Sequence, residues 1–226
     1  MSRVLAAQII LFLPHLAGAP AVGDVLSLVS QDRSVTARAV LSPQPPDPPQ
    51  SLAAAEAAPD FGAFTKSVEV SVGAGGPGGG PLGTGSATQT STILGSVVHA
   101  AGRVAASGFC LLSTCGSAEA KSKFSIRFVV REPAVAHLIG GVATETGAPE
   151  LVMALTGPGV SLVSSGNGGS EDVDLEALLT PGEYSLEARA VAQSGQAGSY
   201  RMDVSFTSEL VGVQSARWSK IKQLYR

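Results

Sequence analysis

The chain has 226 residues, enough for one large β domain or two small ones, and we expect a single domain with a substantial core. Lys and Arg number 15 against 18 Asp and Glu, a formal net charge of -3, so the chain lacks the basic surface that attracts nucleic acid phosphates. Hydrophobic residues make up 44% and aromatic residues 5%, which predicts an aliphatic core rather than one built around stacked rings.

Residues 1–21 have the features of an export signal. Arg3 supplies the positive flank, residues 4–13 form a short apolar run, and residues 19–21 supply small side chains for cleavage. We prefer cleavage at the end of this segment to cleavage after Ala19, which would leave a proline next to the cut. A retained anchor is the other alternative, but the apolar run is shorter than the roughly 20 residues that span a bilayer. We therefore predict a secreted protein with no membrane partner after cleavage.

Alternating apolar and polar residues, the period of half-buried strands, recur along the rest of the chain. In the first half this alternation predicts strands at residues 25–29, 34–40, 66–72, 87–98 and 102–106. The proline-rich stretch 42–50 lacks ladder donors and is not expected inside a strand. It leads into the alanine-rich stretch 51–58, for which we predict a short helix or a surface loop. Residues 73–86 are rich in glycine and predict a flexible loop.

The two cysteines, Cys110 and Cys115, enclose four residues. In the oxidising compartment to which an export signal directs a chain, this spacing predicts a disulfide that closes a small loop. Two thiols alone do not complete a tetrahedral zinc site, and a redox-active pair is more often separated by two residues. The pair is therefore predicted to be structural.

The second half of the chain alternates more clearly. It predicts strands at residues 123–130, 134–144, 149–156, 160–164, 170–177, 183–193 and 199–207. Turn sequences separate them, for example Thr-Gly-Pro-Gly at 156–159 and Gly-Asn-Gly-Gly at 166–169. No long amphipathic helix pattern alternates with the strands, which argues against parallel α/β folds. We predict one all-β domain at residues 22–209, an antiparallel two-sheet sandwich that is jelly-roll-like.

Catalytic and cofactor motifs are weak in this sequence. Residues 73–78 match the G-x-G-x-x-G spacing of dinucleotide-binding loops, but more glycine, proline and hydroxyl residues follow instead of a helix. We therefore predict no cofactor. A serine hydrolase needs an imidazole base, for which His99 and His137 are the candidates. We interpret both as surface or strand-edge residues, because no G-x-S-x-G motif accompanies them.

Metal and sugar binding are two further chemistries that the sequence offers. The densest acidic cluster consists of Glu171, Asp172, Asp174 and Glu176. Such a cluster suits calcium, but its alternation with apolar residues favours an exposed strand face, and we assign no metal site. Sugar-binding faces usually carry exposed aromatic rings, and Tyr184 and Tyr200 are the candidates outside the C-terminal segment. Tyr184 is expected in the core because a turn feeds directly into its strand.

Six short segments follow one another along the chain: S-Q-D-R-S-V at 30–35, D-F-G-A-F at 60–64, Q-T-S-T-I at 89–93, F-S-I-R-F-V-V at 124–130, L-T-G-P-G at 155–159 and L-T-P-G-E-Y-S-L-E-A-R-A at 179–190. In this order they resemble a group of secreted bacterial β-sandwich proteins that are often found with a PEP-CTERM sorting tail. The second half also resembles pre-peptidase C-terminal domains, small jelly rolls that accompany secreted enzymes. The resemblance implies an exported, non-enzymatic protein of the cell surface or extracellular matrix. The sequence departs from the group at its end, where the Pro-Glu-Pro motif and hydrophobic span of the sorting tail are missing.

The C-terminal segment 210–226 is basic and aromatic. Its candidate recognition residues are Trp218, Lys220, Ile221, Lys222, Tyr225 and Arg226. Trp218, Ile221 and Tyr225 share one face at helical spacing. The segment is similar to short W-x-x-[IV]-K-x-x-[YF]-R ends of some secreted bacterial proteins. Two alternatives stand, a recognition or surface-sorting signal, and a tail that is frayed or packed on the domain.

Together these features favour a secreted, non-enzymatic structural or interaction protein of the cell surface or extracellular matrix. Its expected partner is an extracellular polysaccharide or a surface protein. The alternative function is an accessory module that binds polysaccharide or protein, with calcium as an optional stabilising ion. A secreted hydrolase is a third class, and it would require acids and a histidine to converge in a pocket.

Overall fold

The computed structural model describes residues 26–43, 47–74, 80–166 and 168–208, and these residues form an all-β fold. The strands are β1 (Leu26–Ser42), β2 (Gln50–Ala57), β3 (Phe64–Ala74), β4 (Pro81–Leu94), β5 (Val97–Gly108), β6 (Cys110–Leu111), β7 (Thr114–Val130), β8 (Ala134–Thr146), β9 (Glu150–Gly157), β10 (Val160–Gly166), β11 (Ser170–Leu179), β12 (Gly182–Gln193) and β13 (Gln196–Ser208). The predicted export signal and C-terminal segment lie outside the described residues.

The strands form two antiparallel sheets. Sheet A has the order β10-β9-β12-β7-β1-β2, with β6 paired to β7. Sheet B has the order β11-β8-β13-β5-β4-β3. The chain passes repeatedly from one sheet to the other, so that β11, β12 and β13 alternate between them. The predicted antiparallel two-sheet sandwich is therefore confirmed.

The core lies between the sheets and takes alternate residues from each strand. On the central strands of sheet A its members include Phe124, Ile126 and Phe128 from β7 and Tyr184, Leu186 and Ala188 from β12. Tyr184 is thus a core residue, as predicted. Alanine and valine fill much of the remainder, as expected of an aliphatic core, and one aromatic cluster lies within it. The ring of Phe128 lies 5.8 Å from that of Tyr184 and 5.1 Å from that of Phe206, an arrangement that adds aromatic pairing to aliphatic burial.

The alanine-rich stretch 51–58 is neither a helix nor a loop. It supplies most of β2, an edge strand of sheet A whose register pairs Ala54 with Ala37 of β1. A run of alanines carries no alternation and has little intrinsic strand preference. Its conformation is therefore set by pairing with the long neighbouring strand, which the local sequence does not reveal.

Two other boundaries differ from the sequence prediction. β1 is one strand of 17 residues rather than two short ones. The glycine-rich loop predicted at 73–86 is shorter, because β4 already begins at Pro81, and residues 75–79 lie outside the described part. A Cβ atom on Gly83 would lie 2.8 Å from the backbone oxygen of Ser117 on β7. Glycine therefore lets β4 approach the opposite sheet, which is a strand role rather than a loop role.

The strands run between two ends of the sandwich, and the connections separate accordingly. One end, called the hairpin end, carries the described connecting residues 43, 47–49, 80, 109–113, 147–149, 168–169 and 194–195. The opposite end carries the connections 58–63, 95–96, 131–133, 158–159 and 180–181. Ser208, the last described residue, also lies at the opposite end.

Candidate functional site

The outer face of sheet B, turned away from the core, carries a linked group of charged side chains. His99 on β5 is the register partner of Asp203 on β13, and its Nδ1–H donates to the Asp203 carboxylate. Arg201, two residues along β13, approaches the other carboxylate oxygen through Nη2 at 3.1 Å and Nε at 3.2 Å. Asp203 is thus held between an imidazole and a guanidinium, and all three side chains reach solvent.

A second imidazole and carboxylate meet further along the same face. His137 on β8 donates from Nε2 to Oδ1 of Asp174 on β11 at 2.8 Å. The register partner of His137 is Glu176, so this pair is diagonal, within the reach that long side chains have across an antiparallel sheet. Both histidines therefore lie on strands as polar members of the solvent face, in agreement with their interpretation as surface residues.

A groove of about 360 Å³ crosses the same face above β8. The groove lies where three residues are paired across neighbouring strands, with Gly141 of β8 between Asp172 of β11 and Arg201 of β13. We call these three residues a ladder row. A Cβ atom on Gly141 would lie 2.6 Å from the backbone oxygen of Glu171, so this position excludes a side chain. Asp172 and Arg201 lie on the strands either side of β8, two strand spacings or about 9.5 Å apart, and the Arg201 guanidinium is directed toward Asp203.

The groove offers polar groups of both kinds to a ligand. Its walls include the carboxylates of Asp172 and Asp203, the guanidinium of Arg201, and the hydroxyls of Ser170 and Ser199. Carboxylates accept hydrogen bonds, guanidinium groups donate up to five, and hydroxyls do both. Ile139, which is 45% exposed, adds one apolar side chain beside them. This combination fits a hydroxyl-rich ligand that binds from solvent.

The acidic residues that suggested calcium are spread along the edge strand β11. Asp174 is occupied by His137, and Asp172 lines the groove. Within residues 26–208, apart from the undescribed gaps, no three His, Cys, Asp or Glu side chains converge as a metal site. Asp172, Asp174 and Glu176 lie on the solvent face of β11, alternating with Val173, and Glu171 is exposed near the start of this edge strand.

Tyr200 does not present its ring to solvent, although it was one of two candidates for sugar stacking. It is only 2% exposed, and its hydroxyl lies 3.2 Å from the hydroxyl of Ser122 between the sheets. Burial raises the pKa of Tyr200, and the Ser122 hydrogen bond opposes that effect weakly. Tyr200 borders the groove only at its floor, so no aromatic platform accompanies the polar walls there.

The cysteines occupy a projecting hairpin at the hairpin end. Cys110 and Cys115 face each other across β6 and β7 at disulfide-bonding distance, with 4.0 Å between their Cα atoms. The prediction of a disulfide-closed loop is consistent with this pairing. The hairpin exposes Phe109 and Leu111 by 50% each and Leu112 by 97%. The sequence analysis interpreted the cysteine pair as a structural disulfide and did not recognise the exposed apolar residues that the disulfide encloses.

The other predicted site residues lie outside the described residues, namely Trp218, Lys220, Ile221, Lys222, Tyr225 and Arg226. The linked groups on sheet B were missed, because a histidine and an aspartate that are 104 positions apart give no local signal. Only the strand register brings His99 and Asp203 together.

Comparison with known proteins adds no family. No protein-family model matches the chain, and no curated protein has significant sequence similarity to it. The described part of the chain contains no helix that is long and apolar enough to cross a membrane.

Proposed function

We propose that this chain is a secreted, non-enzymatic interaction protein of the cell surface or extracellular matrix. The export signal predicted at residues 1–21 supports the location. The outer face of sheet B is the proposed binding surface, and an extracellular polysaccharide is the proposed partner.

The observation that carries this proposal is the ladder row Asp172, Gly141 and Arg201. The glycine has no side chain between the acceptor Asp172 and the donor Arg201, and both line the same groove together with Asp203, which pairs with Arg201. Sugar hydroxyls both donate and accept hydrogen bonds, so they match this mixed lining.

The same geometry favours binding over catalysis. His99 and His137 have side chains that are 51% and 42% exposed, and each is paired with a carboxylate on the open face of a sheet. An imidazole that acts as a general base is typically placed beside a nucleophile in a cleft that restricts water. These pairs instead order the surface charges around the groove.

The test is retention of the full chain on immobilised neutral glucans and galactans. Arg201→Ala removes the donor wall of the groove, and we expect it to weaken retention about tenfold, the effect of one lost charged hydrogen bond. Arg127→Ala is the matched control, because Arg127 is an exposed, carboxylate-paired arginine on the outer face of sheet A. Loss of retention in both variants, or in neither, would contradict the proposal, as would a native chain that is not retained at all.

A further inference from the structure

We infer that the disulfide-closed hairpin, residues 109–115, docks the protein onto a neutral lipid surface. This inference goes beyond the proposed function, because it uses a different surface and a different ligand. Contact at the surface of a bilayer needs no spanning segment, but it departs from the expectation that the secreted chain has no membrane partner after cleavage.

The hairpin is an exposed apolar projection with a fixed base. Its base is held by backbone hydrogen bonds from Phe109 to Leu82 at 3.0 Å and from Gly116 to Phe109 at 3.0 Å. Beyond that base Phe109, Leu111 and Leu112 project, and they are half or more exposed. Adjacent exposed apolar side chains on one element are unusual for surface that faces only water. A fixed base also lowers the ordering cost of binding.

The backbone at the apex indicates that leucine is present for its side chain. Leu112 and Ser113 form a two-residue turn, and Leu112 has φ 55°, a region that favours glycine. The turn between β4 and β5 has the same length, and there Gly95 takes the position with φ 55°. Leucine in the strained position gains no compensating burial, since it is 97% exposed. Strain at an exposed apolar apex is consistent with a binding role.

The surroundings of the hairpin favour a lipid surface over a pocket in a partner protein. A pocket would enclose only the tip, whereas a flat bilayer also meets the connections beside it. Among the described connecting residues at the hairpin end, a single one is ionisable, Asp47. Those at the opposite end include Asp60, Arg131 and Glu132. Connecting residues with so few charges approach an apolar phase at little cost of removing water from ions, and Glu145 and Glu150 on the adjoining strands are paired with Arg103 and Arg189. The lack of basic residues among the described connecting residues of the hairpin end selects neutral rather than anionic lipid.

The test places a fluorescent reporter on the hairpin. Phe109→Trp is introduced into the full chain with Trp218→Phe, so that the reporter is the only tryptophan. Vesicles of phosphatidylcholine with brominated acyl chains quench tryptophan that enters the apolar region. Leu94→Trp in the same background is the matched control, because Leu94 is 68% exposed beside the turn at the opposite end. We expect quenching at position 109 and none at position 94.

A second pair of variants measures the affinity. The double substitution Leu111→Ser and Leu112→Ser should weaken partitioning into these vesicles about tenfold or more, and Leu94→Ser should leave it unchanged. Attachment through the apolar residues 4–13 would carry the chain to vesicles without quenching position 109, and that result would overturn the inference. Absence of vesicle binding, or quenching at both positions, would overturn it as well. Polysaccharide retention is scored separately, so either proposal can fail alone.

Discussion

Nη1 of Arg33 lies 2.7 Å from the backbone carbonyl oxygen of Gly62 and donates to it, although the Arg33 side chain is almost fully buried. The same guanidinium donates to the carbonyl of Asp60, and its Nε donates to Gln31 at 2.9 Å. Arg33 therefore ties the connection between β2 and β3 to the inner face of β1. Burial lowers the pKa of Arg33 and the nearby Asp60 opposes this, yet arginine remains charged in proteins.

Replacing this buried guanidinium should be costly. Arg33→Met leaves the carbonyls of Asp60 and Gly62 without their donor, and we expect the free energy of unfolding to fall by about 3 kcal/mol. Urea unfolding followed by circular dichroism measures the change. Arg38→Met is the control, because Arg38 is an exposed residue on the same strand, and it should alter stability by less than about 0.5 kcal/mol. Equal urea midpoints for the two variants would show that the Arg33 hydrogen bonds do not stabilise the fold.

Tyr200 makes stability depend on alkaline pH. Its pKa is raised in the folded protein by burial, whereas an unfolded tyrosine ionises near pH 10. The stability linked to the neutral phenol is therefore fully present below about pH 10 and is lost as pH rises toward the folded pKa. Between those limits the native protein should lose about 1.4 kcal/mol per pH unit more than Tyr200→Phe. Unfolding curves at several pH values between 8 and 12 give the two slopes, and parallel slopes would contradict the prediction.

The sequence predicted those parts of the fold in which a strand buries one face and exposes the other to solvent. Residues 184–190 show this most clearly, because Tyr184, Leu186, Ala188 and Ala190 are buried and the residues between them are not. A period of two is a local property, so no knowledge of neighbours is needed to recognise it. The same reasoning placed Asp174 on the solvent face, whereas Tyr184 was expected in the core because a turn feeds directly into its strand.

The candidate site escaped prediction because it depends on which strands are neighbours. Asp172, Gly141 and Arg201 come from three strands, and nothing near any of them in the chain indicates the other two. The prediction for residues 51–58 was wrong for the same reason, because pairing with β1 determines the conformation of this stretch. Tyr200 was considered as a surface ring because aromatic residues are ambiguous in a strand, and its partner Ser122 lies on the other sheet.

The apex of the disulfide hairpin should become more stable when its apolar residue is removed. Leu112→Asn replaces a leucine at φ 55° with a residue that tolerates this region, and almost no buried surface is lost. We expect a gain of about 1 kcal/mol, seen as a rise in Tm of about 2 to 4 °C. Leu94→Asn should show no such gain, because Leu94 precedes its turn and glycine occupies the strained position there. A lower Tm for Leu112→Asn would contradict the assignment of strain.

The disulfide should stabilise the hairpin without supporting the sandwich core. Replacing both Cys110 and Cys115 with serine opens a very short loop, and the loop-entropy relation predicts a loss of about 2 kcal/mol. The sandwich core does not include the cysteines, so amide exchange around 109–116 should approach that of an open loop. Exchange at Phe124 and Ile126 should accelerate by no more than about 30-fold, the factor that a loss of about 2 kcal/mol in the free energy of unfolding allows. The native protein treated with reductant provides the control, since it breaks the same bond without substitution and should exchange in the same way. A larger acceleration throughout β7 would mean that the bond secures the central strand of sheet A rather than the projecting tip.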